Sequence, residues 1–244
     1  SSDLFFRKLI TRVIVSHASA VTAVTKNLAN AMQKHGLKNA NYLILPNVVD
    51  DVFLKYNPKK REHNKVNFLH VSCFEDKSKN ISGLLRVIKE LSLERDDFVF
   101  TMVGEGIDMV DMVQYSKKLG IDEAKLRFTG LLEGKSLVDE MKNADMLVIF
   151  SHYENFPVVI NESLSLGVPV IATRVGGIPE RVNKRNGILI KPNDESQLLY
   201  ELGAYLNGKR KFNLRNIHKE FAKEFSADKI GLKLNEIYDK AINA

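Results

Sequence analysis

Residues 146–173 read MLVIFSHYENFPVVINESLSLGVPVIAT. Met146–Ser151 is a short apolar run with β-branched members, the composition of a strand buried on both faces. His152–Phe156 is a polar loop. Pro157 fits the first turn of a helix, where its missing N–H costs nothing. Gly167 suits the residue just past the helix end, and Val168–Thr173 returns as a strand. Strand, loop, helix and strand in so short a span make a parallel βαβ unit.

The same alternation extends outward from Lys65. VNFLHVS, FVFTMVG, KLRFTG, MLVIFS, PVIAT and GILIK are six short apolar or β-branched runs flanked by Gly, Asn and Asp. Amphipathic segments separate them. In NISGLLRVIKELSLE, for example, Ile81, Leu84, Leu85, Ile88 and Leu91 recur at helical spacing. The pattern predicts an α/β fold, a doubly wound parallel sheet of the Rossmann-like kind. Ligands of such sheets bind at the carboxyl ends of the strands, which directs attention to the loops after Val71, Val103, Phe128, Phe150 and Thr173.

Residues 1–47 differ in kind. AVTAVT (Ala20–Thr25) reads as a strand, KNLANAMQKHG as a helix ending at Gly36, and YLILPN as a second strand. This unit is too small to bury its own faces, so it is expected to belong to a second, mostly absent sheet. Residues 48–64, within VVDDVFLKYNPKKREHNK, read as a polar, irregular linker. Residues 65–225 form the predicted Rossmann-like domain, and residues 226–244 a final helix. The N-terminus lacks a signal-peptide pattern and opens in helical-looking sequence, as expected of a piece of something longer.

The 244 residues, 44% hydrophobic and 27% charged, suit a soluble globular chain with ample core. The single cysteine, Cys73, excludes an internal disulfide and suits a reducing compartment, so a cytoplasmic location is expected, with the inner face of a membrane as a further option. Cys73 itself reads as a small buried hydrophobe. No apolar stretch is long enough to span a bilayer. The net charge is +6, and part of the excess lies in Asn207–Phe225. That segment reads first as a solvated face; contact with anionic lipid or a phosphorylated partner is its functional alternative. Its aromatics are not interleaved for nucleic acid, so no nucleic-acid partner is expected.

Two carboxylates stand out, Glu154 and Glu162. Glu154 falls in the ligand-facing loop and Glu162 on the second turn of the helix. Along a helix eight positions sweep about 800°, but the loop can turn both groups toward one crevice. Free N–H groups of Phe156, Val158 and Val159 at the helix start favour an anion, and a carboxylate accepts two hydroxyls at once. A ligand carrying both phosphate and hydroxyls fits, which is the chemistry of a nucleotide sugar. The plainer alternative is a capping residue and a salt-bridged helix residue. VGEGIDM (Val103–Met109) approaches a dinucleotide loop, but Met109 stands where glycine is required, and a turn opening a helix is the better reading. Lys77 and Lys79 could simply be solvated, and His152 reads as structural. No metal-ligand spacing occurs, so metal independence is expected.

ENFPVVINESLSLGVPVIATRVGGIPE strongly resembles the E-x7-E region of retaining GT-B glycosyltransferases, glycosyltransferase family 4. VSCFEDKSKNISGLLRVIKEL, FVFTMVGEG, LRFTGLLEG, NADMLVIFSHYENFP and NGILIKPND follow in that family's order. FSADKIGLKLNEIYDKAI is similar to its closing helix, which crosses back to the partner domain, and AVTAVTKNLANAM…YLILPNVVD resembles the end of its N-terminal domain. The resemblance implies transfer of a hexose-type sugar from a nucleoside diphosphate to an acceptor hydroxyl, plausible in cell-surface polysaccharide or glycolipid synthesis. It implies that Glu162 holds ribose hydroxyls and Glu154 the transferred sugar, beside the backbone of Asn155, Phe156, Pro157, Val158 and Val159, in which every residue but Pro157 offers an N–H. Lys79 would bind the diphosphate and share catalysis with Glu154, and the Leu131–Leu132 backbone would meet the base. Ser72, Lys77 and Gly104 join the donor-binding set. Ser72 and Cys73 stand where the family often has Gly-Arg, with Lys77 or a longer loop compensating. No cofactor beyond the donor is implied. The acceptor domain would be missing, so this piece alone is expected to transfer no sugar. The rivals are a GT-B nucleotide-sugar epimerase, a non-enzymatic binding module and an NAD-dependent oxidoreductase.

Overall fold

The computed structural model describes residues 2–56, 58 and 64–242. Helix α1 (Ser2–His17) leads into strand β1 (Val21–Ala23), helix α2 (Lys26–Lys34) and strand β2 (Tyr42–Ile44). The two strands pair in parallel as a sheet of their own and are shorter than the runs Ala20–Thr25 and Tyr42–Asn47. Thr25 caps α2 by accepting from the Leu28 N–H, and the Glu180 carboxylate accepts from the N–H groups of Lys26 and Asn27. A carboxylate at a helix N-terminus meets unpaired donors and the positive end of the dipole, so Glu180 ties this unit to the larger sheet.

The segment read as an irregular linker contains structure. A short helix α3 (Asp51–Leu54) is capped by Asp50, whose Oδ1 accepts from the Val52 N–H. Val49 and Phe53 are buried in the main core, which is why the chain is held here rather than looping freely. Residues 57 and 59–63 lie outside the described residues.

The larger sheet has six parallel strands: β3 (Val66–Val71), β4 (Phe98–Val103), β5 (Leu126–Gly130), β6 (Met146–Ile149), β7 (Val170–Thr173) and β8 (Gly187–Ile190). Their spatial order is β5-β4-β3-β6-β7-β8. Order reverses between β3 and β6, and the crevice of such a sheet opens at that switch point, above the carboxyl ends. The helices between strands are α4 (Asp76–Lys79) with α5 (Ile81–Glu94), α6 (Met109–Lys118), α7 (Gly134–Asn143) and α8 (Val158–Ser165). After β8 come α9 (Glu195–Leu206), α10 (Leu214–Phe221) and α11 (Ala227–Ile242). Two buried clusters flank the sheet. One gathers Leu69, Leu147, Ile160 and Leu164 with Phe53, Phe221 and Phe225. The other gathers Phe68, Phe100, Met146 and Val148 with the apolar stripe of α5, where Ile81, Leu84, Leu85, Ile88 and Leu91 are all buried. No helix among the described residues is long and apolar enough to cross a membrane.

Candidate functional site

Above the switch point, the loop after β3 is fixed by the loop after β4. The Ser72 N–H donates to the Val103 carbonyl, the Phe74 N–H to Glu105 and the Asp108 N–H to Phe74. Gly104 has φ +138°, and a Cβ there would sit 1.9 Å from the Ser72 carbonyl oxygen. VGEGIDM is therefore a turn that lets two loops touch and then opens α6. Phe74 is fully buried against Phe128 and near His70. Its neighbour Cys73 is consequently turned outward and exposed, contrary to its reading as a buried hydrophobe.

A cavity of about 750 Å³ opens beside these loops. Ser72, Gly104, Leu131, Leu132 and Glu162, separate in sequence, all line it. So do Asp50, Glu105 and Glu133, together with Cys73 and apolar side chains such as Phe53, Val71 and Leu137. Among the described residues the lining contains no lysine or arginine. Its polar side chains are nearly all acceptors, so it suits a ligand portion that is uncharged, part apolar and rich in hydroxyl or N–H donors.

Glu162 occupies the second turn of α8. Burial first, and the Asp50 charge second, raise its pKa from 4.5 to about 7. Near neutral pH it is therefore poised between acid and carboxylate. Asp50 escaped notice in the sequence because it lay in what read as a linker. Its one visible signal was its helix-capping position before Asp51–Leu54.

Glu154 lies outside that lining. It is 7% exposed, and its Oε1 accepts from Lys79 Nζ at 2.7 Å and from Ser151 Oγ at 2.8 Å. Sequence reading placed Lys79 and Glu154 in one site, and they meet as an ion pair. Lys79 reaches Glu154 because the Ser78 carbonyl accepts from the N–H groups of His152 and Tyr153, clamping α4 to the β6 loop. Ser151 went unremarked in the sequence, and its side chain had no motif to reveal it.

The turn after β7 closes over the same loop. Gly176 has φ +52°, and a Cβ there would lie 1.6 Å from the Glu154 carbonyl oxygen. The Gly177 N–H donates to the Asn155 carbonyl at 2.8 Å. The Gly-Gly-x-Pro sequence is thus a close approach of two backbones. Pro157 flanks α8 one position before its first residue; its carbonyl accepts from the Ile160 N–H, while the N–H groups of Val158 and Val159 have no partner within the helix. Phe156 is buried with the Arg181 guanidinium 5.9 Å from its ring centre. Asn155 and Lys77 are exposed; Asn155 accepts from the Tyr153 hydroxyl. His152 is exposed too.

A second surface is strongly basic. Along the outer side of β8, a cleft of about 740 Å³ is lined by Arg174, Lys184, Lys209, Lys211 and Phe212. Adjoining concavities add Arg215 and Lys219. Among the described residues Lys184, Lys209, Lys211 and Arg215 have no carboxylate partner; Arg185 and Arg210 are paired with Glu220 and Glu201. No cluster of three or more potential metal ligands occurs among the described residues.

The parallel sheet with its crevice at the switch point is that of GT-B glycosyltransferases. The HepE structure from Anabaena, in complex with UDP and glucose, superposes with a TM-score of 0.81, covering 95% of this chain and 66% of that one at 18% identity. Residues 54–225 match the model of the family described as glycosyl transferases group 1, and the chain belongs to that family. An uncharacterized glycosyltransferase of Methanocaldococcus jannaschii is 30% identical over 168 residues, which are 67% of this chain and 42% of that protein. The N-acetyl-alpha-D-glucosaminyl L-malate synthase of Bacillus anthracis is 28% identical over 186 residues, 73% of this chain and 47% of its own length. The chain thus spans somewhat under half of these two relatives.

Proposed function

We propose that this chain is the donor-binding part of a retaining glycosyltransferase of family 4, which transfers a hexose-type sugar from a nucleoside diphosphate to an acceptor hydroxyl. Residues 65–225 bind the donor, residues 1–47 end the acceptor domain, and residues 226–244 cross back to it. The observation that carries the reading is a division of polarity. Glu162 and its fellow acceptors line a cavity without lysine or arginine among the described residues, suited to a nucleoside, while Lys79 and the first turn of α8 are not part of that lining and are assigned to the diphosphate. Glu154, held between Lys79 and Ser151, is assigned to the sugar. The chemistry needs no nucleophile. Negative charge building on the departing diphosphate meets the Lys79 ammonium and backbone N–H groups already in place. The donor set needs no metal. UDP is the first base to test, because HepE was captured with it. The acceptor is proposed to be surface polysaccharide or glycolipid, with the basic edge beside β8 resting on an anionic membrane face.

Calorimetry with UDP, GDP and ADP tests the reading. One of them binds the wild-type chain, and Glu162→Ala loses charge-assisted hydrogen bonds of about 1.5–3 kcal/mol in total. Unchanged affinity in that variant removes Glu162 from the site.

A further inference from the structure

His70, near the carboxyl end of β3, is fully buried, and its chain neighbours Val71 and Ser72 line the cavity. Its Nδ1 is 2.8 Å from the Val148 carbonyl oxygen, and its Nε2 is 2.7 Å from Ser72 Oγ. A carbonyl oxygen can only accept, so Nδ1 carries a proton. Burial, aided by the Lys79 charge, lowers the ring's pKa to about 4, against a smaller opposing effect of the Val148 bond. The imidazole is therefore neutral and Nε2 is a bare lone pair. Among the described residues the one hydrogen-bond partner at that nitrogen is the Ser72 hydroxyl.

That hydroxyl has one proton and two acceptors within reach, Nε2 and the Cys73 carbonyl at 3.1 Å. The contact to Nε2 is shorter, and losing it would leave a buried nitrogen unsatisfied, so the proton goes to His70. Ser72 Oγ then has only lone pairs to offer the cavity it lines, in company with Asp50, Glu105, Glu133 and Glu162. A deprotonated phosphate oxygen brings no proton to such a group and is repelled by it. A hydroxyl is attracted.

We propose that Ser72 determines specificity by accepting a hydrogen bond from a ligand hydroxyl, and that His70 is the positioning residue that fixes this polarity by holding the Ser72 proton. The proposal rests on the donor-site reading and gives Ser72, a member of the donor-binding set, a hydroxyl rather than a phosphate as its partner. The hydroxyl belongs either to the ribose or to the transferred sugar.

Two measurements on the full 244-residue chain decide it. Long-range ¹H–¹⁵N spectra of ¹⁵N-histidine protein report the His70 tautomer. The Nδ1–H form with unprotonated Nε2 is expected at pH 7, and an Nε2–H form or an imidazolium overturns the proposal. Calorimetry then compares wild type, Ser72→Ala and Ser72→Thr against inorganic pyrophosphate, UDP and UDP-glucose. Ser72→Ala should leave pyrophosphate affinity unchanged and weaken the hydroxyl-bearing ligand about three- to tenfold, with Ser72→Thr restoring most of it. A loss shared by UDP and UDP-glucose assigns the hydroxyl to the ribose; a loss confined to UDP-glucose assigns it to the sugar. An equal loss for pyrophosphate, or no loss for any ligand, overturns the proposal. Wild-type chain that binds none of the three overturns the donor-site reading and the hydroxyl recognition with it, while the tautomer still decides the polarity of the His70–Ser72 bond.

Discussion

Glu162→Gln isolates the cost of keeping a carboxylate in the cavity. The folded pKa is about 7 and the unfolded one 4.5, so the native chain holds the proton more tightly. Stability from this group is therefore fully present below pH 4.5 and is lost as pH rises through 7. The whole shift corresponds to about 3 kcal/mol as an upper bound, less where solvent reaches the group. Glutamine is close to isosteric and never ionises, so the variant escapes the loss. At pH 8 it should be more stable than wild type by about 2 kcal/mol, which for a chain of this size raises the melting temperature by roughly 4–8 °C. By pH 4.5–5 the two melting curves should converge. Thermal unfolding from pH 5 to 8.5, followed by circular dichroism, reads this directly. Melting temperatures that stay parallel across that range refute the assignment. The corollary concerns binding: hydroxyls donated to Glu162 favour its ionised form, so nucleotide binding near pH 6.5 should release a proton. Calorimetry in buffers of different ionisation enthalpy measures that release, and Glu162→Gln should abolish it.

Among the described residues Lys79→Met leaves the buried Glu154 with Ser151 alone as side-chain partner, at a cost of about 3–5 kcal/mol in denaturant unfolding. Adding Glu154→Gln to that variant should recover most of the loss, and strictly additive single effects would show that the pair is not coupled. Gly176→Ala places a methyl 1.6 Å from the Glu154 carbonyl oxygen at φ +52°, so it should cost more than about 2 kcal/mol and loosen residues 151–157 in hydrogen exchange. Gly203→Ala is its control: α9 has open space there, and a gain of about 0.5–1 kcal/mol is expected. For the basic edge, Lys211→Glu/Arg215→Glu should weaken sedimentation with phosphatidylglycerol vesicles at low salt by about tenfold per residue changed. Equal partition onto neutral phosphatidylcholine vesicles refutes the electrostatic contact.

The strands of the large sheet were legible as short apolar or β-branched runs: β6 and β7 are buried throughout, and even the edge strand β5, with Arg127 exposed, keeps Leu126 buried and is bounded by turn residues. The stripe of α5 was legible because its apolar residues recur at helical spacing. Where burial rests on few residues, the reading failed. Val49 and Phe53 are two anchors separated by Asp50 and Asp51 and beside the exposed Val48 and Val52, too few for a periodicity, and with them went Asp50 and its influence on Glu162. Cys73 was misplaced because a loop has no period to say which of two adjacent residues turns inward, and Phe74 took the core position. The contact of Lys79 with Glu154 joins residues 75 positions apart, set by strand order rather than by any local pattern. It also leaves room, in the proposed donor site, for a carboxylate and an anionic ligand to share one cation. An ammonium has three N–H donors. Glu154 takes one, at 2.7 Å, and among the described residues no other acceptor bonds to Lys79. The other two remain for oxygens of the phosphate in the proposed donor site, so Glu154 orients Lys79 without exhausting it. An exposed lysine would meet the same anion with its side chain still free, and would lose that freedom on binding.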